Sequence, residues 1–531
     1  AMGVGEGPPP TGGETRQAGE GGPAPMRYER QRRETGRRLR RLAIGGGRSA
    51  ESFITDPAEL SGPSEHHLLG RPFAMNLYTK LLARQTAGKP IRVGLIGAGK
   101  FGSMFLSQVR HIPGMHLYGI ADLSADRAKA ALTNTGWDAE AATTSSFEDA
   151  LASGRTCITE DGEALIRADG LDVVIDATGH PAAGIRHALL AAEQGRHMVM
   201  VNVEADVLAG AYLVEEFDRA GLVYSMAYGD QPALVCEMID WARTCGFRVV
   251  AAGKGTKYLP QYAASTPDTV WDHYGLTSEE AAKGGMNPQM FNSFLDGTKS
   301  ALEMAAISNA SGLLAPRDGL LFPPVGTHDL AEILKPRSHG GILEQAGMVE
   351  VISSLERDGR HVFGDLRWGV YITFEAMEDD GRGADYVRRC FREYQVVTDS
   401  SGRYATLFRP SHLIGLELGV SVANAALRGE PTGRTNGLVS DVVAVAKKAL
   451  KPGDVLDGEG GFTVWGRIAR AEDSLAMGGL PIGLAHNMPL KRAVTEGQML
   501  SWDDVEATES QAVTIRRTME DRARTQRAAA A

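Results

Sequence analysis

The chain holds 531 residues, enough for two to four domains at roughly 150 residues each. A net charge of −10 excludes a general polyanion binder, and a hydrophobic content of 43% is ordinary for a protein with a real core. No run of about 18 uncharged apolar residues occurs, the Gly/Pro/Glu-rich first residues show no apolar region, so no signal peptide is expected, and the four cysteines (Cys157, Cys236, Cys245, Cys390) form no CxxC pair. A cytoplasmic protein is therefore expected, with no membrane span, no disulfide scaffold and no nucleic-acid partner.

Residues 1–74 read as a disordered or low-complexity extension. "GVGEGPPPTGGETRQAGEGGPAP" has too few apolar residues to order itself, and "RYERQRRETGRRLRRL" reads as a solvated basic run. "MNLYTKLLARQTAG" then predicts a helix with Leu77, Leu81 and Leu82 on one face, closed by Gly88. From Ile91, "IRVGLIG", "MHLYGIAD", "LDVVIDATG", "HMVMVNVEAD" and "LVYSMAYGD" read as strands with helical segments between them. That alternation predicts a doubly wound parallel α/β sheet over 75–230. "SSFEDALASGRTCITEDGEALIRADG" reads as a helix-and-loop insertion. Residues 231–448 mix helical blocks with strand-like runs and predict an α+β substrate domain. Within it, "LIGLELGVSVANAAL" is an apolar helix expected to pack back on the first domain. Residues 449–508 read as a small β module of short strands and Gly turns, and 509–531 as a polar helix or frayed tail.

Gly97, Gly99 and Gly102 form GxGxxG between a predicted strand and a predicted helix, the context in which the motif holds a dinucleotide pyrophosphate. Gly97 permits the turn, Gly99 lets the backbone approach the phosphates, and Gly102 lets helix and strand pack closely. Lys100 and Phe101, between the glycines, open the helix whose N-terminus faces the anion. Asp122, 20 residues after Gly102, sits where a carboxylate meets a ribose hydroxyl, while Ser124 and Arg127 could accommodate a 2′-phosphate. NADP(H) is favoured over NAD(H). Ala177, Thr178 and Gly179, then Asn202 and Glu204, then Gln231 and Pro232 follow three later strands and are expected to line the nicotinamide side.

In the second domain, Lys254 and Lys257 lie in the Gly-flanked "GKGTKYLP" and could bind an anion or polarise a carbonyl. Asn287, Asn292 and Ser293 in "NPQMFNSFLDGTKSALEMA" are short donors suited to a phosphate or polyol. Asp296, Lys299 and Glu303, at i, i+3 and i+7, would share one helical face.

Residues 91–505 resemble the homoserine dehydrogenase-like oxidoreductases that carry a C-terminal SAF domain. The resemblance rests on "RVGLIGAGKFGSMF", "VIDATGHP", "VMVNVEAD", "YGDQPALVCEMIDWAR", "GKGTKYLP", "STPDTVW", "NPQMFNSFLDGTKSALEMA" and "LRWGVYITFEA". The stretch from "LKPGDVLDGEGGFTVWG" to "LKRAVTEGQMLSWDDV" is similar to SAF domains, which are β-clip folds. One branch of the family, the reductoisomerase-like enzymes of isoprenoid biosynthesis, converts 1-deoxy-D-xylulose 5-phosphate to 2-C-methyl-D-erythritol 4-phosphate with NADPH. Val203 stands where true homoserine dehydrogenases have a lysine, and only Asn202 and Glu204 match the "ANKE" of ordinary reductoisomerases. The resemblance makes Asp296 and Lys299 the leading catalytic candidates, through the DG-x-K segment. Lys299 or Lys257 would protonate the developing alkoxide with Asp296 orienting the donor, and a homodimer or homotetramer is implied. A reductoisomerase would also want a divalent cation, Mg or Mn, although no spacing names its ligands. Two other readings stay open: an epimerase or lyase with tightly bound NAD(P), and a non-enzymatic cofactor sensor.

Overall fold

A parallel strand covered by helices on both faces needs a near-continuous apolar run. The runs after Ile91 supply it. The computed structural model describes residues 76–530, apart from 284 and 378–381. All of these belong to one compact unit, Phe73–Ala531. The expected 1–74 extension lies outside the described residues.

The first sheet comprises β1 (Ile91–Ile96), β2 (Met115–Ala121), β3 (Thr143–Thr144), β4 (Thr156–Thr159), β5 (Val173–Asp176), β6 (His197–Met200) and β7 (Tyr224–Met226). All pair in parallel, in the order β3-β4-β2-β1-β5-β6-β7. Strand order reverses beside β1, so the carboxyl ends of β1 and β5 open a crevice. One face of the sheet packs on the helices Lys100–Val109, Ala125–Asn134 and Gly419–Arg428, the other on Pro181–Glu193 and Val203–Ala220. The predicted doubly wound fold is the observed one. The Gly419–Arg428 helix returns to it as expected, burying Leu418, Val422 and Ala423 beside Val93 and Leu95. The helix Leu77–Thr86 also forms, with Leu81 buried and Leu82 exposed. β4 differs from the expectation. "TCIT" sits inside the stretch read as helix and loop, yet it pairs with β2. Four residues are too short to show a periodicity.

A mixed second sheet follows, with β8 (Phe247–Thr256), β9 (Met348–Ser353), β10 (Val370–Ala376), β11 (Val397–Thr398) and β12 (Tyr404–Arg409) in the order β11-β12-β10-β8-β9. β8 and β9 are parallel and the remaining pairs antiparallel. Helices Gln231–Thr244 and Thr298–Ser311 pack against this sheet. Gly253 permits the β8–β9 approach, because a Cβ there would lie 1.8 Å from the Glu350 carbonyl oxygen.

The small β module begins with β13 (Ser440–Ala446), inside the stretch read as the end of the α+β domain, and continues through β14 (Val455–Asp457), β15 (Val464–Arg470) and β16 (His486–Pro489). β13 pairs with β15 and β14 with β16, both antiparallel. β13 and β15 lie on the Thr298–Ser311 helix. The last segment is a docked helix, Gln511–Ala530, rather than a frayed tail. Ala512, Val513, Ile515, Met519 and Ala523 are buried, and the fully buried Arg516 pairs with Asp441 and Glu520.

Candidate active site

The three glycines do separate jobs. Gly97 adopts φ +99°, and a Cβ there would meet the Ala177 carbonyl oxygen at 2.7 Å, so it turns the chain against the end of β5. A Cβ on Gly102 would lie 2.2 Å from the Gly97 carbonyl oxygen. Gly99 has no heavy atom within 4 Å of its Cβ position and faces open space at the N-terminus of the Lys100–Val109 helix. A nucleotide phosphate fits where that side chain is missing.

The glycines open on a cleft of about 820 Å³ lined by Gly97, Gly99, Asp122, Arg127, Ala177, Thr178 and, from the second domain, Asn287. Asp122 is buried and its carboxylate is fully engaged. One oxygen accepts from the Ala98 amide (2.8 Å), the other from the Ser124 amide (3.0 Å), and Arg127 pairs with it. Ser124 caps the next helix by accepting from the Arg127 amide. Acidic and basic groups absent from the sequence reading, Glu160, Glu163 and Arg186, also line the cleft. The signal for the acidic pair was β4, whose carboxyl end faces the crevice like those of its neighbours.

Past β5, Asp176 organises the next loop. Its carboxylate accepts from the Thr178 amide and hydroxyl, from Asn202 Nδ2, and from buried His187. Asn202 also caps the Val203–Ala220 helix, so it holds the loop from within the fold. Gly179 turns the loop at φ +64°. Lys100 lies 5.8 Å from the Phe291 ring, Phe101 packs into the core, and Gln231 and Pro232 are buried in the first turn of their helix. Lys100, Phe101, Gly102, Ser124, Gly179, Asn202, Glu204, Gln231 and Pro232 thus stand around the cleft rather than among the residues that line it.

A cluster of buried charges lies beyond the ends of β6 and β7. Glu204, in the first turn after β6, accepts from Lys299 Nζ at 2.5 Å. Lys254 on β8 pairs with Glu303 on the Thr298–Ser311 helix. Asp230 caps the helix after β7 by accepting from the Gln231 amide. Burial works against the Lys299 charge, but Glu204, Glu303, Glu459 and Asp230 outweigh it and hold the ammonium above the ordinary lysine range. Burial, then the Glu303 carboxylate, pushes Asp230 up to about 7.

Lys299 and Glu303 lie one turn apart on the same helix, each paired with a different partner, but Asp296 does not share that helix. Gly297, at φ +91°, breaks the chain there, and Asp296 caps the new helix by accepting from the Thr298 amide. Its other oxygen receives Lys447 Nζ at 2.8 Å, so Asp296 orients Lys447 instead of Lys299. Asn292 spends its amide on Ser265 and the Gly460 carbonyl, and Ser293 donates to the Met290 carbonyl, which leaves both as parts of the scaffold. Asn287 caps its helix at the mouth of the cleft. Lys257 is half-buried, donates to the His273 carbonyl and lies 5.4 Å from the Tyr274 ring. Burial and then nearby Arg367 lower its pKa.

His412 escaped the sequence reading because it is one histidine in a loop. Its Nδ1 donates to the Trp368 carbonyl at 2.7 Å, which leaves Nε2 as the nitrogen able to accept. Burial lowers its pKa, and Glu303, Lys254 and Glu417 stand close enough to act on it. As for a cation, Glu303, Glu204 and Asp296 each face an ammonium. Among the described residues no group of three or more His, Cys, Asp or Glu could hold a metal ion. No helix among them is long and apolar enough to cross a membrane.

The family model described as "Oxidoreductase DRL, catalytic domain" matches residues 229–418, the stretch that contributes Asp230, Lys254, Asp296, Lys299, Glu303 and His412. By that match the chain carries an oxidoreductase catalytic domain. No curated protein matches the chain. Similar solved structures include biliverdin reductase in complex with biliverdin and NADP+ from Synechocystis sp. PCC 6803, at 17% identity and TM-score 0.23 over 32% of this chain and 48% of that one. An NAD binding oxidoreductase from Klebsiella pneumoniae matches at 17% identity and TM-score 0.25, over 33% and 45%. A probable dehydrogenase from Thermotoga maritima matches at 14% identity and TM-score 0.32, over 64% and 90%. The chain spans about half the length of the first two.

Proposed function

We propose that this protein is a nicotinamide-dependent oxidoreductase acting on a small, polar, phosphorylated carbonyl compound. The observation that carries the reading is the Lys299–Glu204 pair. It joins the helix after β6 of the dinucleotide-binding sheet to the central helix of the oxidoreductase domain. A bound reduced nicotinamide would supply the hydride, with its pyrophosphate on the Gly99 side of the cleft. Lys299 stabilises the alkoxide that develops on the carbonyl oxygen and gives it a proton, and Glu204 holds the ammonium in place. Lys254, pinned by Glu303, adds a second fixed ammonium to the cluster, and His412 Nε2 is available to a substrate hydroxyl. Lys257 and Arg367 are two cations near enough to act on one another, a pairing that suits a phosphate. NADP(H) is the favoured cofactor, because Arg127 already neutralises Asp122 at the mouth of the cleft and can turn to a 2′-phosphate, while exposed Leu123 offers the adenine an apolar face.

The finer reading, a reductoisomerase acting on 1-deoxy-D-xylulose 5-phosphate, rests on the family resemblance. The test is to mix the protein with NADPH or NADH and a panel of phosphorylated and free keto-sugars, with and without magnesium or manganese, and follow nicotinamide absorbance. Consumption of NADPH with a phosphorylated ketose is expected. Turnover only with unphosphorylated substrates would remove the phosphate, and a tightly held cofactor with no net redox change would replace reduction by epimerase or lyase chemistry.

A further inference from the structure

The loop between β14 and β15 is held against the charged cluster more firmly than a peripheral module requires. Gln289 Nε2 donates to the carbonyls of Asp457 and Glu459, each at 3.0 Å. Asn292 Nδ2 donates to the Gly460 carbonyl at 2.9 Å, and Lys447 Nζ to that of Gly461 at 2.8 Å. Asp457 folds the loop on itself by accepting from the amides of Phe462 and Thr463. Gly460, at φ +65°, lies so close to the Pro288–Leu295 helix that a Cβ would stand 2.0 Å from the Gln289 carbonyl oxygen. The packing aims one side chain inward. Glu459 Oε2 is buried and has no hydrogen-bond partner among the described residues, although the carbonyls of Asp457, Glu459, Gly460 and Gly461 around it are all engaged. An orphaned buried carboxyl oxygen is costly, and a fold that keeps one uses it.

We infer that the C-terminal β module is part of the catalytic pocket, and that its Glu459 restores to Lys299 the proton given up in each reduction. The inference rests on the oxidoreductase reading above. The groups acting on Glu459 come from several elements: Glu204 from the helix after β6, Lys299 from the Thr298–Ser311 helix, and Asp296 from the break before it. Lys447 stands behind Asp296, Asp230 and Glu303 act on Lys299, and His486 on β16 packs over Gly458 beside Asp457. Burial, then the Glu204 carboxylate, pushes Glu459 up to about 8, so its carboxyl carries a proton at neutral pH.

The steps balance. A bound reduced nicotinamide would supply hydride to the carbonyl carbon, and the alkoxide so formed would take its O–H proton from Lys299 as a Lys299 N–H bond breaks. The neutral amine then takes the Glu459 proton, directly or through one water, and the Glu459 carboxylate is reprotonated from solvent. The second transfer runs downhill, because a carboxyl near 8 is a stronger acid than the raised Lys299 ammonium. Glu459 acts through Lys299 and is a positioning residue, while Lys299 is the group that meets the substrate.

The test is Glu459→Gln. It keeps the shape and leaves the Gln289 bond to the backbone intact. Infrared spectra taken between about pH 6 and about pH 9 should show a protonated carboxyl band in the wild-type protein that disappears near pH 8 and is missing from E459Q. Turnover of the wild type with NADPH and the keto-sugar panel should fall as pH rises through about 8. E459Q should be slower by roughly 10²-fold and flat across that range, with NADPH affinity unchanged, and Glu459→Asp should recover part of the rate and the bend. An E459Q protein with the same infrared band, or with wild-type kcat and the same bend near pH 8, overturns the relay alone. No turnover by the wild type with either reduced nicotinamide overturns the oxidoreductase reading and the relay with it.

Discussion

Lys299 and Glu204 form an ion pair between two helices that pack on different sheets; the Glu204 side chain is buried and that of Lys299 is 14% exposed. Removing one member of such a pair leaves a charge stranded in a low-dielectric interior, at a cost of about 3–5 kcal/mol. Lys299→Met should therefore lower Tm and cut kcat by roughly 10²–10⁴-fold. Glu204→Gln should cost less stability, because Glu303 and Asp230 still act on the ammonium and Glu459, relieved of the Glu204 carboxylate, ionises more readily beside it. Thermal unfolding and steady-state kinetics of the two variants decide it; wild-type turnover in Lys299→Met would remove Lys299 from the chemistry.

Stability should fall as pH rises from about 4 to about 7. Burial, with Glu303 second, moves Asp230 from 3.8 to about 7, and burial moves Glu350 from 4.5 to about 7. Below their unfolded values these groups are neutral in both states and cost nothing. Between the unfolded and folded values only the unfolded chain ionises, so the fold loses stability, and above about 7 the penalty is constant. Asp399 and Asp504 act the other way. Their lowered values, won against burial by Lys335 and Arg492, remove stability only on acidification below 3.8. Tm measured across the range should decline, and Asp230→Asn should flatten the decline. A Tm that rises across the range contradicts the assignment.

Substitutions in the glycine turn should separate folding from binding. Gly102→Ala forces a methyl to within 2.2 Å of a backbone oxygen and Gly97→Ala adds a positive φ, so each should destabilise by about 1–3 kcal/mol. Gly99→Ala meets nothing and should melt like the wild type. Equal Tm values for all three would mean that the turn is looser than its geometry states.

Arg516 sits between Asp441 and Glu520 and ties the last helix to β13. Arg516→Met should expose that helix to limited proteolysis and lower Tm, because two buried carboxylates lose their cation. Unchanged protease resistance would contradict a docked role.

Much of the dinucleotide-binding half was legible, since strands such as "IRVGLIG" and the spacing from Gly97 to Asp122 are local signals. The site was legible in part. Lys254, Lys299 and Glu303 were named from residue type and resemblance, but their pairing with partners 95 residues apart (Lys299 with Glu204) is set by tertiary packing. A reading by helical period placed Asp296 beside Lys299, because nothing in "LDGTKS" announces that Gly297 takes a positive φ and ends one helix. Glu459 and Arg516 look like exposed charges in sequence. Only the packing of distant segments buries Arg516 and the Oε2 atom of Glu459.

The most direct test is calorimetric titration of the protein and of Gly99→Val with NADPH and NADH. Saturable binding of one nucleotide per chain, tighter for NADPH and weakened at least roughly tenfold (about 1.4 kcal/mol) by the valine, is the predicted result. No heat with either nucleotide, or equal binding by the valine variant at unchanged Tm, would contradict the placement of the cofactor on which the site depends.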